Sequence, residues 1–232
     1  MQVKTFLRFD HLKLHSNFKA TTKMIDELKK YDERYCANLS HGEENAKVIF
    51  EYIEKGSNLI LSAPHATCSF VKKKEKVADL FTGAIVEYLG MKNNISTLIR
   101  TKYTPYKALI SDYIFENGLE NHYFLDIHGF NQDIGYDICI GIGDCRPNDC
   151  PYLKDILKIA EKYHLKAIIN HPNYTGMIGL TGRYQMACGK PNVIQLELKR
   201  YLRDFYNHAE EVENITIPFL TNIINLYQKE SN

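Results

Sequence analysis

The sequence lacks a charge excess: 29 lysines and arginines stand against 28 aspartates and glutamates, a formal net charge of +1. That balance excludes the basic footprint that nucleic acid selects. Its one dense basic run, Lys72-Lys73-Lys74-Glu75-Lys76, has no interleaved aromatic residue and reads as a solvated face. No apolar run is long enough to cross a bilayer, and the opening MQVKTFLRFDHLKLHSN has no sustained apolar core of the signal-peptide kind. Six cysteines are present (Cys36, Cys68, Cys139, Cys145, Cys150 and Cys188), but no CxxC pair, so neither a zinc knuckle nor a disulfide framework is expected. Repeats and low-complexity segments are absent too. The glycine-rich stretch TGMIGLTGRYQ, read as a loop, matches neither a P-loop nor a dinucleotide fingerprint. These absences together predict a cytoplasmic domain with reduced thiols and neither a nucleic-acid nor a membrane partner.

What is present is enough for one core. A chain of 232 residues that is 44% hydrophobic can bury a core without staples, so residues 1–232 are read as one domain with a helical N-terminal extension over 1–45. A short β-like piece, Val3–Phe9, opens it. Thr21 or Thr22 is placed to cap a helix through Tyr35, with Met24, Leu28 and Tyr31 at helical spacing. His41 falls in a polar turn. Val48–Ile53 and Asn58–Ala63 read as two strands of a hairpin turned by Gly56-Ser57. A helix is predicted from Glu75 to Tyr88 and closed by Gly90, then a strand over Ile95–Ile99 and a helix over 105–117 closed by Gly118. Strands are expected at His122–Phe130, Tyr136–Gly141, Lys166–Asn170 and Pro191–Leu198, and helices at Cys150–Tyr163 and Asn207–Lys229, the last with a possible break at Thr216-Ile217-Pro218. Strands alternating with helices imply an α/β sheet.

Three strands end in chemistry. Leu59-Ile60-Leu61-Ser62-Ala63-Pro64 is a buried strand stopped by proline, and His65 follows on the loop beyond its carboxyl end, where such sheets bind ligands. In Leu125-Asp126-Ile127-His128-Gly129, period two puts Asp126 and His128 on one face. Within Val193–Leu198, Gln195 and Glu197 likewise share a face, and a carboxylate in a buried strand demands a partner or a function. His65, an acid shortly after it and His128 far downstream follow the spacing of a catalytic zinc site, with Glu197 available as the base.

Four motifs in order, LILSAPHA, Asp79-Leu80-Phe81-Thr82, LDIHGF and VIQLEL, resemble the N-formylglutamate amidohydrolase family, a relative of zinc carboxypeptidases and phage poly-γ-glutamate hydrolases. The resemblance spans residues 48–203. It implies a single-domain three-layer α/β/α fold with a mixed central sheet. It also implies one Zn²⁺ per chain, held by His65, Asp79 and His128, and hydrolysis of an amide in a small carboxylate-bearing substrate. Glu75 is the rival to Asp79, because the H-x-x-E of carboxypeptidases is replaced here by His65-x-x-Cys68. By the same resemblance Glu197 is the catalytic glutamate and Asp126 orients a ligand. Arg183, read in a loop, is the first choice for the substrate carboxylate and the developing oxyanion; Arg100 and Gln195 are further substrate contacts. The D-x-N-R motif of formylglutamate hydrolases is missing after Arg100, so the acyl group is not fixed, and the oligomeric state is open. Two alternatives stand beside this reading: a metal-free small-molecule binding protein, and a thiol hydrolase using Cys68.

Overall fold

A computed structural model describes residues 22–229. The β-like piece at Val3–Phe9 lies outside the described residues, as does Thr21. Thr22 caps α1 (Lys23–Ser40) by accepting the Ile25 amide, and Ile25, Leu28 and Tyr35 line its buried stripe. Helical geometry is lost at Ala37, and Asn38, Leu39 and Ser40 are left-handed in succession.

Seven strands then build one mixed sheet. In chain order these are β1 (Phe50–Ile53), β2 (Leu59–Ala63), β5 (Ser96–Arg100), β6 (Tyr123–Phe130), β7 (Ile138–Gly141), β8 (Ala167–Ile169) and β9 (Val193–Lys199). Between β2 and β5 a separate hairpin is formed by β3 (Ser69–Val71) and β4 (Lys74–Lys76). The spatial order is β1-β5-β2-β6-β9-β7-β8. β5, β2, β6 and β9 are parallel, whereas β1 joins β5 and β7 joins β9 in antiparallel fashion. The remaining helices are α2 (Thr82–Asn93), α3 (Ile110–Glu116), α4 (Leu153–Lys162), α5 (Leu180–Cys188), α6 (Ala209–Glu211) and α7 (Ile217–Gln228).

Helices cover both faces, which is the three-layer α/β/α arrangement. One core joins α1, α2, α4 and α7 to Leu59, Leu61, Leu125, Ile127, Ile194 and Leu196. A smaller core joins α3 and α5 to Ile60, Leu98, Phe124 and Val193. Alternate residues of the same strands serve the two cores, as the period of a β-strand requires.

Several expected boundaries move. β1 and β2 are not a hairpin, because β5 lies between them. The connecting residues bond to β5 instead: the Lys55 amide donates to Ser96 Oγ, and Ser57 Oγ accepts the Ser96 amide. The helix expected from Glu75 starts seven residues later, at Thr82, since Glu75 pairs with Phe70 in the β3–β4 hairpin and Val77 is exposed. Gly90 lies inside α2 rather than ending it; a Cβ there would meet Thr97 Cγ2 at 2.2 Å, so glycine lets the helix approach β5. Asn94, left-handed at φ 52°, closes the helix. The segment opened by Pro105 turns helical only at Ile110. The glycine-rich stretch is helical from Leu180 onward, which puts Arg183 on α5 and not in a loop. Pro218 does not break the terminal helix: it occupies the first turn of α7, after a π-helical stretch over Val212–Thr216.

Candidate active site

Three parallel strands deliver the polar residues. β6 pairs with β9 so that His128 lies opposite Glu197 and Asp126 opposite Gln195. β2 lies on the other side of β6, with Ser62 opposite Asp126. All five side chains belong to the face that carries the smaller core, beyond the point where its apolar residues stop. A cleft of about 940 Å³ opens there, lined among others by His65, Asp79, His128, Arg183, Gln195 and Glu197.

Asp79 is held by its own motif. Its amide donates to the His65 carbonyl at 2.8 Å, and the Thr82 hydroxyl donates to the Asp79 carbonyl at 2.7 Å. The D-x-x-T spacing thus builds the turn into α2 and ties it to the loop carrying His65. His128 is bracketed by carboxylates, with Nε2 2.8 Å from Asp126 Oδ2 and Nδ1 3.2 Å from Asp79 Oδ2. Asp126 is fixed in turn by Ser62 Oγ, which donates to Oδ1 at 2.5 Å. The His65 and His128 rings meet edge to face at 5.2 Å between centroids, and Ser69 Oγ lies 3.1 Å from His65 Nδ1.

Charge follows from this packing. Burial works against a protonated His128, yet Asp126 and Asp79 push it up to about 10. Burial and the Lys76 ammonium hold His65 well below its ordinary value, so it stays neutral. Burial would raise Asp79, but Lys76 and His128 outweigh it and hold the carboxyl well below the usual range. Burial lifts Glu197 to about 7, with His128 opposing. Gln195 Nε2 donates to Glu197 Oε1 at 2.8 Å, so Gln195 orients the glutamate within the cleft.

The donor set fits a zinc ion: two imidazoles, a carboxylate, and a further carboxylate behind one imidazole. His65, Asp79 and His128 would hold it, and Asp126 would fix the His128 ring. These ligand atoms are not all drawn within 4.8 Å of one another in this structure, and Lys76 Nζ holds Asp79 at 3.1 and 3.3 Å. Glu75 is no rival to Asp79, because it lies on β4 with its carboxylate on His41. His41 lies in the turn after α1, half-buried and stacked on Tyr103.

Other expected residues fall apart from the chemistry. Cys68 does not line the cleft, and burial together with the Glu75 carboxylate pushes its thiol up. A thiol hydrolase using Cys68 is therefore set aside. Arg100 lies at the cleft but is buried, and its fork donates to the carbonyls of Pro64, Lys102 and Ala108 while stacking on Phe50. It braces loops rather than offering a free anchor. Arg183, half-buried, has no hydrogen bond or ion pair from its side chain among the described residues, so its guanidinium is open to the cleft. Two cations were missed from sequence. Lys76 sat in a run read as solvated. Arg203 is fully buried and donates to the carbonyls of Leu198, Leu80 and Phe130 and to Asn131 Oδ1. Its sequence signal is Gly129, where a Cβ would meet Arg203 Nε at 2.2 Å.

The architecture defines a class of three-layer α/β/α folds built on a mixed seven-stranded sheet. Within it, the chain superposes on a bacteriophage poly-γ-glutamate hydrolase with a TM-score of 0.54 and 13% identity, covering 81% of this chain and 92% of the other. It also superposes on N-formylglutamate amidohydrolase from Ralstonia eutropha JMP134, with a TM-score of 0.54 and 12% identity, covering 78% of this chain and 98% of the other. The fold is the one expected from the four motifs. No protein-family profile matches the sequence, and no curated protein does.

Proposed function

We propose that the protein is a zinc-dependent hydrolase of an amide bond in an N-acyl amino acid or small peptide-like substrate that bears a carboxylate. The observation that carries this reading is the convergence of His65, Asp79 and His128 at a cleft in which Glu197 faces His128 across the β6–β9 pair. Bound zinc would supply an acidified water and polarise the scissile carbonyl. Asp126 holds the His128 ring from behind, and His65 meets the site neutral. Glu197 takes the proton of the attacking water and returns it to the leaving amine; Gln195 keeps its carboxylate aimed. Arg183 pairs with the substrate carboxylate or steadies the developing oxyanion. All six cysteines are free, and no helix among the described residues is long and apolar enough to cross a membrane, which supports the cytoplasmic location included in this proposal.

One observation favours a second reading, a metal-free small-molecule binding protein on the same scaffold: the Lys76 ammonium on Asp79 already supplies a cation at the carboxylate. Zinc content decides between them. About one zinc lost in His128→Ala, together with hydrolysis of N-acyl amino acids that disappears in Glu197→Gln while zinc remains, supports the hydrolase. No zinc lost on mutating His128, after incubation with zinc, overturns it.

A further inference from the structure

A second cluster of metal-competent side chains lies outside the cleft. A ring nitrogen of His41, Cys68 Sγ and a Glu75 carboxylate oxygen all fall within 4.8 Å of one another, with His41 Nε2 and Glu75 Oε2 3.1 Å apart. None of the three lines the cleft. They come from three separate places: the turn after α1, the loop after β2, and β4 of the small hairpin.

The backbone holds this meeting in place. The Cys68 amide donates to the Ser40 carbonyl and the Tyr103 amide to the His41 carbonyl, both at 2.7 Å. The His41 ring stacks on Tyr103 at 4.5 Å between centroids with 19° between planes, which fixes the direction of its nitrogens. Gly42 is needed beneath it: at φ +83°, a Cβ there would meet the Thr101 carbonyl oxygen at 2.0 Å. Cys68 is buried while Glu75 is exposed, so the cluster has an apolar floor and a side open to water.

We infer that His41, Cys68 and Glu75 form a second metal site for a borderline divalent ion of the Zn²⁺ class. Imidazole, thiolate and carboxylate are donors that suit such an ion, and water completes a tetrahedron from the open side. Bonds of about 2.0–2.3 Å place tetrahedral ligand atoms roughly 3.3–3.8 Å apart, so the cluster closes around an ion with shifts on the order of an ångström. In forming the site the Cys68 thiol loses its proton to solvent, and the sulfur lone pair goes to the metal. The ion would clip the end of α1 and the β3–β4 hairpin together. That hairpin carries Lys76, which lines the cleft, so the site is placed to steady the cleft wall without entering the reaction.

The test uses the full chain, stripped of metal and titrated with Co²⁺, whose thiolate complexes absorb in the near ultraviolet. The expected result is a saturable thiolate-to-cobalt band, absent in Cys68→Ser and retained in His128→Ala. Retention in His128→Ala separates this site from the proposed catalytic one, so either can fail alone. Glu75→Gln, at an exposed position where folding is not at stake, should weaken the Co²⁺ affinity behind the band about tenfold or more. No thiolate band in the wild type, a band that survives Cys68→Ser, or an affinity unchanged in Glu75→Gln overturns the inference.

Discussion

The two faces of the central sheet are made by the same strands and behave differently. On one, Leu59 and Leu61, Leu125 and Ile127, and Ile194, Leu196 and Leu198 are apolar to the strand ends and covered by α1, α2, α4 and α7. On the other, Ile60, Phe124 and Val193 pack on α3 and α5, and the next residues along that face are Ser62, Asp126 and His128, and Gln195 and Glu197. The helices on that side are short: α3 and α5 have seven and nine residues, against 12 each in α2 and α7. Beyond the residues packed on α3 and α5, His128, Gln195 and Glu197 line the cleft. One face is therefore apolar to its end and the other turns polar at the cleft, often in adjacent residues.

Leu196 and Glu197 put that division to its strongest test. Glu197→Gln should lower turnover by about 10²–10⁴-fold, the usual worth of a positioned acid–base group. Its stability should be unchanged or higher, because a neutral amide replaces a carboxyl that burial has already lifted to about 7. Leu196→Ala should do the reverse, losing roughly 2–5 kcal/mol of stability while turnover per folded molecule holds. Urea unfolding beside steady-state rates measures both. If the folded fraction of Leu196→Ala is as inactive as Glu197→Gln, the two faces are not separable.

A buried carboxylate on the covered side sharpens the comparison. Asp32 of α1 is buried, and burial lifts it from an ordinary 3.8 to about 6, with a Tyr206 hydrogen bond and Arg200 opposing and Asp204 adding to the rise. Arg200 is already engaged, its Nε 2.9 Å from Asp204 Oδ2. Because the folded-state value is raised, the folded protein binds more protons than the unfolded chain between about pH 4 and pH 6. This group's contribution therefore falls as pH rises through that window and stays low above it. Asp32→Asn should recover roughly 3 kcal/mol at pH 8 and nothing below pH 4. Unfolding midpoints of the two proteins that run parallel from pH 4 to pH 8 would show that Asp32 is not strained.

Much of this organisation is legible in the sequence because period two is a local signal. Asp126 with His128, and Gln195 with Glu197, could be assigned to shared faces from alternation alone, and the proline after Ala63 marked the strand end that presents His65. What alternation cannot give is which strands are neighbours. The turn at Gly56-Ser57 looked like a hairpin because nothing local announces that β5 inserts there. Glu75 and Val77 looked helical because their spacing fits a helix, yet Glu75 is held by cross-strand pairing with Phe70. The Lys76–Asp79 pair and the position of Arg203 depend on where the β3–β4 hairpin and the end of β9 come to rest, and these are tertiary facts. Gly129 hinted at one of them, since a glycine inside a strand marks a close approach whose partner is not visible locally.

That close approach gives the smallest expected effect. Gly129 lies between His128 and Phe130, and its missing side chain leaves room for Arg203, which ties the ends of β6 and β9 to Leu80, next to Asp79. In Gly129→Ala the new methyl meets Arg203 Nε at 2.2 Å, and Nη1 and Nη2 are drawn with it from the Leu80 and Phe130 carbonyls. Overpacking of this kind costs about 1–3 kcal/mol. The loss belongs to the covered face, although the displaced guanidinium braces the loop that carries Asp79 from behind. Gly129→Ala should therefore lower the urea midpoint and also weaken zinc retention, whereas Leu196→Ala, on the same face but without that brace, should lower the midpoint only. Equal zinc retention in the two variants would show that Arg203 supports the sheet and not Asp79.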